Sequence, residues 1–117
     1  MSHNPAIAIG YWPKKLFKYL QDAAPRVLWG GVVLPGRDGV CPPMGNGRMP
    51  DGDFKHTAYM RKIEWLDRHN IPIDTDEETT KLLTDGSGFY GLERVGEQDP
   101  SWEYGIFYGG PGGFCGA

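Results

Sequence analysis

The sequence predicts an all-β, turn-rich antiparallel domain with one short helix on its surface. Three observations predict it. Short segments rich in β-branched and aromatic residues alternate with dense Gly, Pro, Asn and Asp turn signals. Glycine (18) and proline (10) make up about a quarter of the 117 residues, close to the roughly 25–30% at which disorder becomes a competing reading. Aromatic residues at 13% answer that reading, because disordered segments are poor in them. Only one stretch carries a helical period, and the length suits a single domain of about 100 to 150 residues.

The elements follow in chain order. Residues 13 to 24 predict the helix: Pro13 suits a first helical position, Leu16, Phe17, Leu20 and Ala24 fall on one face, and Pro25 ends it. Lys14, Lys15, Lys18, Gln21 and Asp22 occupy the other face, so the helix should lie on a sheet. Residues 26 to 34 predict a strand, with Gly30-Gly31 marking a bulge or a close backbone approach. Residues 35 to 53 are crowded with turn dipeptides and predict a long loop. His56 to Asp67 predicts a second strand, turned by Arg68-His69-Asn70 into a short strand at Ile71-Pro72-Ile73. Phe89 to Val95 and Trp102 to Tyr108 predict an antiparallel pair joined across Gly96-Glu97-Gln98-Asp99-Pro100, ahead of a Gly-Pro-Gly-Gly tail.

Composition excludes several functional classes. A net charge of -3 without clustered Lys or Arg gives no reason to expect nucleic acid as a partner. The longest apolar runs fall far short of the ~20 residues that span a bilayer, so no membrane segment is expected. The acidic run Asp74-Thr75-Asp76-Glu77-Glu78-Thr79-Thr80 lacks the glycine and closing glutamate of a calcium loop, and reads as a solvated loop or one helical turn. His3, His56 and His69 show no zinc spacing. No cofactor is expected. Gly109-Gly110-Pro111-Gly112-Gly113 lacks the Lys-Ser/Thr and following helix of a phosphate loop, and reads as close backbone packing. A nucleophile and base made from Cys41 and His56 or His69 is disfavoured by the position of Cys41 in a proline-rich loop. The cysteines, Cys41 and Cys115, allow one disulfide at most, and a bond between them requires a Cα separation below about 7 Å.

Five ordered segments carry a family resemblance. They are Ile9-Gly10-Tyr11-Trp12-Pro13-Lys14-Lys15-Leu16-Phe17, Val27-Leu28-Trp29-Gly30-Gly31-Val32-Val33, Met44-Gly45-Asn46-Gly47-Arg48-Met49-Pro50, Ala58-Tyr59-Met60-Arg61-Lys62-Ile63 and Phe107-Tyr108-Gly109-Gly110-Pro111-Gly112. In this order and spacing the chain resembles the neprosin family of plant proteins. The resemblance runs from Ile9 to Cys115 and corresponds to the C-terminal half of a neprosin domain, so residues 1–117 are expected to be the C-terminal part of one. It implies an antiparallel β-sandwich and a secreted glutamic peptidase that cuts after proline with two glutamates. One of those glutamates lies in the other half of the domain. The second follows the Trp-Gly-Gly step, and here Val32 follows Trp29-Gly30-Gly31.

Two neighbouring carboxylates divide the work of base and acid because like charges push their pKa values apart. Valine can take neither part. The expectation is therefore a truncated, inactive neprosin-like domain with no catalytic residue of its own, the alternative being a non-catalytic β-sandwich that binds a peptide or a partner. Glu64 and Glu103, the local carboxylates expected on sheets, read as solvent-facing strand residues. Of the aromatic residues Tyr11, Trp12, Trp29, Tyr59, Trp65, Trp102, Tyr104 and Tyr108, Trp29 is the best placed to line a cleft for proline-rich peptide, because it adjoins position 32. The expected partners are such a peptide, a complementary N-terminal half, or a second copy through exposed strand edges. In family tails the last cysteine pairs with one that here corresponds to Phe89, so Cys115 is expected to have lost its usual partner. The family implies secretion, whereas Met1-Ser2-His3-Asn4-Pro5 has no signal-peptide pattern.

Overall fold

The computed structural model describes Ile7 and residues 9–95 and 100–116. Among the described residues seven strands form in chain order: β1 (Val40–Cys41), β2 (Ala58–Met60), β3 (Glu64–Leu66), β4 (Pro72–Asp74), β5 (Gly91–Arg94), β6 (Ile106–Gly109) and β7 (Gly113–Phe114). They make a three-stranded sheet, β2-β6-β5, and two ribbons, β1-β7 and β3-β4. Every pairing is antiparallel, as the sequence predicts for an all-β fold.

Strand β6 is central because its residues bury on both faces. Ile106, Phe107 and Gly109 are buried and Tyr108 half-buried, an apolar run with no alternation to give up to solvent. Its neighbours pair in the predicted sense, Leu92 opposite Tyr108 and Tyr59 opposite Phe107. Of the predicted β5–β6 connection, residues 96–99 lie outside the described residues. Trp102 is only 6% exposed and forms an aromatic cluster, with ring centroids 4.8 Å from Tyr59, 5.5 Å from Phe54 and 5.9 Å from Phe107. The Arg61 guanidinium lies 5.6 Å over the same ring.

The glycine tail extends β6 along a path that side chains would block. A Cβ on Gly110 would overlap the Phe89 carbonyl, and one on Gly112, where φ is +71, would overlap the carbonyl of Cys41. This is the close backbone packing that the tail predicts. Met44 and Gly110 exchange backbone hydrogen bonds of 3.0 and 3.1 Å, holding the tail against the loop after β1. Cys115 is thereby brought to Cys41, with Cα atoms 5.7 Å apart, and the two form a disulfide. Phe89 packs its ring against Gly113.

Four expectations are corrected. The helix over residues 13 to 24 is a single 3₁₀ turn, Lys14–Leu16, with Phe17 already extended at φ -112. A helix of this length is marginal in water without a surface to cover, and Leu16 and Leu20 remain exposed. The strand over residues 26 to 34 is unpaired among the described residues. The strand from His56 to Asp67 is two strands in different sheets, broken where Lys62 takes the left-handed φ of 53. The loop over residues 35 to 53 contains β1. The predicted turn at residues 68–70 does form: Asn70 is left-handed at φ 59, and Asp67 Oδ1 accepts the amides of His69 (2.7 Å) and Ile71 (2.9 Å).

Two outcomes follow. Trp102→Ala should cost about 3–5 kcal/mol, the usual range for deleting a large buried aromatic, measured as a fall in urea midpoint. Replacing Cys115 with Ser should cost about 2–5 kcal/mol by releasing the cross-link, measured in the same titration with and without reductant. Reductant should lower the midpoint of the parent chain and leave that of the Ser variant unmoved.

Candidate functional site

The segment predicted to matter, Trp29-Gly30-Gly31-Val32-Val33, forms one side of a cavity of about 390 Å³. It is anchored by Gly31: a Cβ there would come within 2.5 Å of Met44 Sδ. Of the glycine pair expected to mark a bulge or a close backbone approach, Gly31 meets the Met44 side chain and Gly30 meets nothing within 4 Å. The cavity is completed by residues 83–86, which lead into the Gly86–Phe89 turn, by Tyr90, Gly91 and Leu92 at the start of β5, and by Tyr108 of β6. The Cys41–Cys115 disulfide lines it as well.

The chemistry available there is narrow. Val32 is 91% exposed and brings no ionisable group. Asp85 is the one carboxylate among the lining residues. Tyr90 turns its hydroxyl away into a 2.8 Å hydrogen bond to the Pro42 carbonyl, which positions its ring as a wall. The result is an apolar and aromatic recess with a single acidic group, of a size at the lower end of ligand pockets (~300–1,000 Å³).

The other predicted residues lie elsewhere. Of the aromatic candidates, Trp29 and Tyr108 line the cavity, while Tyr11 and Trp12 are exposed and Tyr59 and Trp102 belong to the aromatic cluster. Glu64 is exposed on β3, as expected. Glu103 is not on a strand. It follows the turn Pro100–Trp102 in a left-handed conformation, φ 54. The fold nevertheless draws Glu64 and Glu103 together with Asp74, the cross-strand partner of Glu64, their carboxylate oxygens lying within 4.8 Å of one another. All three are exposed, and Lys62 Nζ stands 3.8 Å from Glu103. Water solvates such a group, and none of the three lines the cavity. Cys41 is buried and disulfide-bonded, so it offers no thiol to His56 or His69. His3 lies outside the described residues.

What sequence reasoning missed is the far wall. Leu83, Asp85 and Tyr90 stand more than fifty residues from Trp29, and the Asp85-Gly86 turn dipeptide marks a turn without saying what it faces. The loop before this wall is closed by its own carboxylate. Asp76 Oδ1 accepts the hydroxyl (2.7 Å) and the amide (2.8 Å) of Thr79, and these bonds, the hydroxyl first, hold its carboxyl below the ordinary value. Thr80 then hydrogen-bonds the Tyr104 hydroxyl (2.7 Å), which also accepts from Arg94 Nε (3.3 Å) and raises the pKa of that guanidinium further.

The Neprosin family model matches residues 1–111. The chain belongs to the neprosin family. No solved structure matches this neprosin-family chain. Among the described residues no helix is long and apolar enough to cross a membrane.

The lowered Asp76 pKa has a pH consequence. Because the folded value lies below 3.8, the loop's stabilisation is present above that pH and is lost as pH falls through the folded value. The Thr79 amide resonance should therefore titrate with a midpoint below 3.8, followed by NMR. A midpoint above it would show that the Asp76 bonds are absent in solution.

Proposed function

We propose that this chain is a neprosin-family domain without hydrolytic activity of its own, whose cavity beside Val32 holds an extended, proline-containing peptide. The observation that carries the reading is the side chain at position 32. The cavity lies on the Trp29-Gly30-Gly31 step that precedes the family's glutamate, and valine stands in its place. Asp85 leaves one carboxylate in the recess, and one carboxylate cannot activate water and protonate the departing amine at once. The family's companion glutamate belongs to the part of the domain preceding the segments matched here.

Binding without cleavage is supported by the walls that remain. Trp29, Tyr90 and Tyr108 supply aromatic surface of the kind that receives preformed polyproline II segments at low entropic cost. The disulfide supports an oxidising compartment, in keeping with the secretion that the family implies.

The test is incubation of the purified chain with proline-rich peptides at acidic pH, read by mass spectrometry, beside a calorimetric binding titration. Saturable binding with intact peptide is the expected result. Val32→Glu should still leave the peptide uncut, since general acid-base help worth about 10²–10⁴-fold needs a matched pair and the family's companion glutamate is not among the residues lining the recess. Proline-directed hydrolysis that follows the purified chain and is lost in Asp85→Asn would overturn the reading.

A further inference from the structure

Asp85 is the single charged side chain among those lining the cavity, and no Lys, Arg or His stands among them to balance it. Among the described residues its carboxylate enters no hydrogen bond and no ion pair. Loop aspartates elsewhere in the chain are committed to their own turns: Asp38, Asp51, Asp53, Asp67 and Asp76 each accept a backbone amide two or three residues on. Asp85 precedes a turn and does not cap it. That turn is closed by backbone alone, the Gly86 carbonyl accepting the amides of Phe89 (2.8 Å) and Tyr90 (3.1 Å), and Tyr90 is buried and fastened by its hydroxyl to Pro42. The backbone that carries Asp85 is therefore fixed, while its carboxylate is exposed and uncommitted.

We propose that Asp85 is the specificity-determining residue of the cavity, selecting proline-containing peptides that carry Lys or Arg close to the proline. The inference rests on the peptide-binding reading and adds to it the charge that the peptide must bear. Trp29, Val33, Leu83 and Tyr108 surround the carboxylate's recess with side chains that hold no charge, and walls of low polarity concentrate the field of a lone charge instead of screening it. A cation is attracted there and an acidic residue repelled. Lys and Arg also match the two parts of the recess at once, since their methylene stems lie along apolar surface while the charged head reaches a group in contact with water. The head then donates charge-assisted hydrogen bonds to the carboxylate, through two parallel N–H groups in the case of Arg. A peptide's terminal ammonium offers the same chemistry, so the test blocks both ends of the peptide.

The experiment is a calorimetric titration of the full chain, disulfide intact, with acetylated and amidated proline-rich peptides in which one side chain carries the only charge. That side chain, placed in turn at each position flanking the proline, is Lys, Glu or the uncharged isostere norleucine. At the favoured position the Lys peptide should bind about two- to fivefold more tightly than the norleucine peptide, the span of an exposed ion pair, and the Glu peptide more weakly than either. The Lys advantage should shrink as ionic strength rises from about 0.01 M to about 1 M, because the screening length then falls to ~3 Å. Asp85→Asn should bring the ratio of Lys to norleucine affinities to one. Asp85→Lys should invert the order so that the Glu peptide binds best, a reversal that an unfolded variant cannot give. Glu93→Gln, which removes the same charge from an exposed position outside the cavity, should leave the ratio as it was. A ratio of one in the parent chain, or a preference that survives in Asp85→Asn, would overturn this inference and leave peptide binding standing. Failure of all three peptides to bind would overturn both.

Discussion

Backbone-to-backbone contact along the C-terminal tail is the constraint on which the rest of this structure depends. Gly110 and Gly112 run so close to the carbonyls of Phe89 and Cys41 that any side chain at either position would displace one of them. With no Cβ in the way, the tail leaves β6, exchanges hydrogen bonds with Met44 and pairs as β7 with β1. The disulfide then fastens an arrangement that the glycines already permit. The cavity inherits its shape from the same contact, since Met44, Cys41, Tyr90 and Cys115 reach its walls through it.

That dependence separates scaffold from chemistry. The Trp29-Gly30-Gly31 step, Met44 of the Met-Gly-Asn-Gly loop, and Tyr108 and Cys115 on either side of the glycine-rich tail line one recess. The side chain at position 32 can vary without disturbing them, because Val32 is exposed and bears no packing load. A family fold does not by itself carry an activity, which rests on the side chains at the site.

Strand β6 was legible because local composition and burial agree there, Ile106, Phe107 and Tyr108 being aromatic or β-branched and buried or half-buried, and Asn70 turns the β3–β4 hairpin by its own conformational preference. The failures share one cause. Residues 13 to 24 have a helical period, but a period forms a helix only where another surface covers it, and Leu16 and Leu20 meet none. Residues 26 to 34 have strand composition and lack a neighbour. The break at Lys62 answers to contacts remote in sequence, its amide bonding the Trp102 carbonyl and that of Ile63 the Tyr104 carbonyl. For the site, Trp29 and the closeness at Gly31 could be read locally. The wall at residues 83–86 and the Cys41–Cys115 bond, 74 residues apart in sequence, could not.

Native-state hydrogen exchange in dilute solution tests the central claim most directly. If β6 and its glycine continuation are the framework, the amides of Ile106, Phe107 and Gly110 should be the slowest in the chain, exchanging only through global unfolding, while those of residues 27–34 exchange near the rate of an unstructured peptide. Equal protection of the two segments, or faster exchange in β6 than in residues 27–34, would contradict the account.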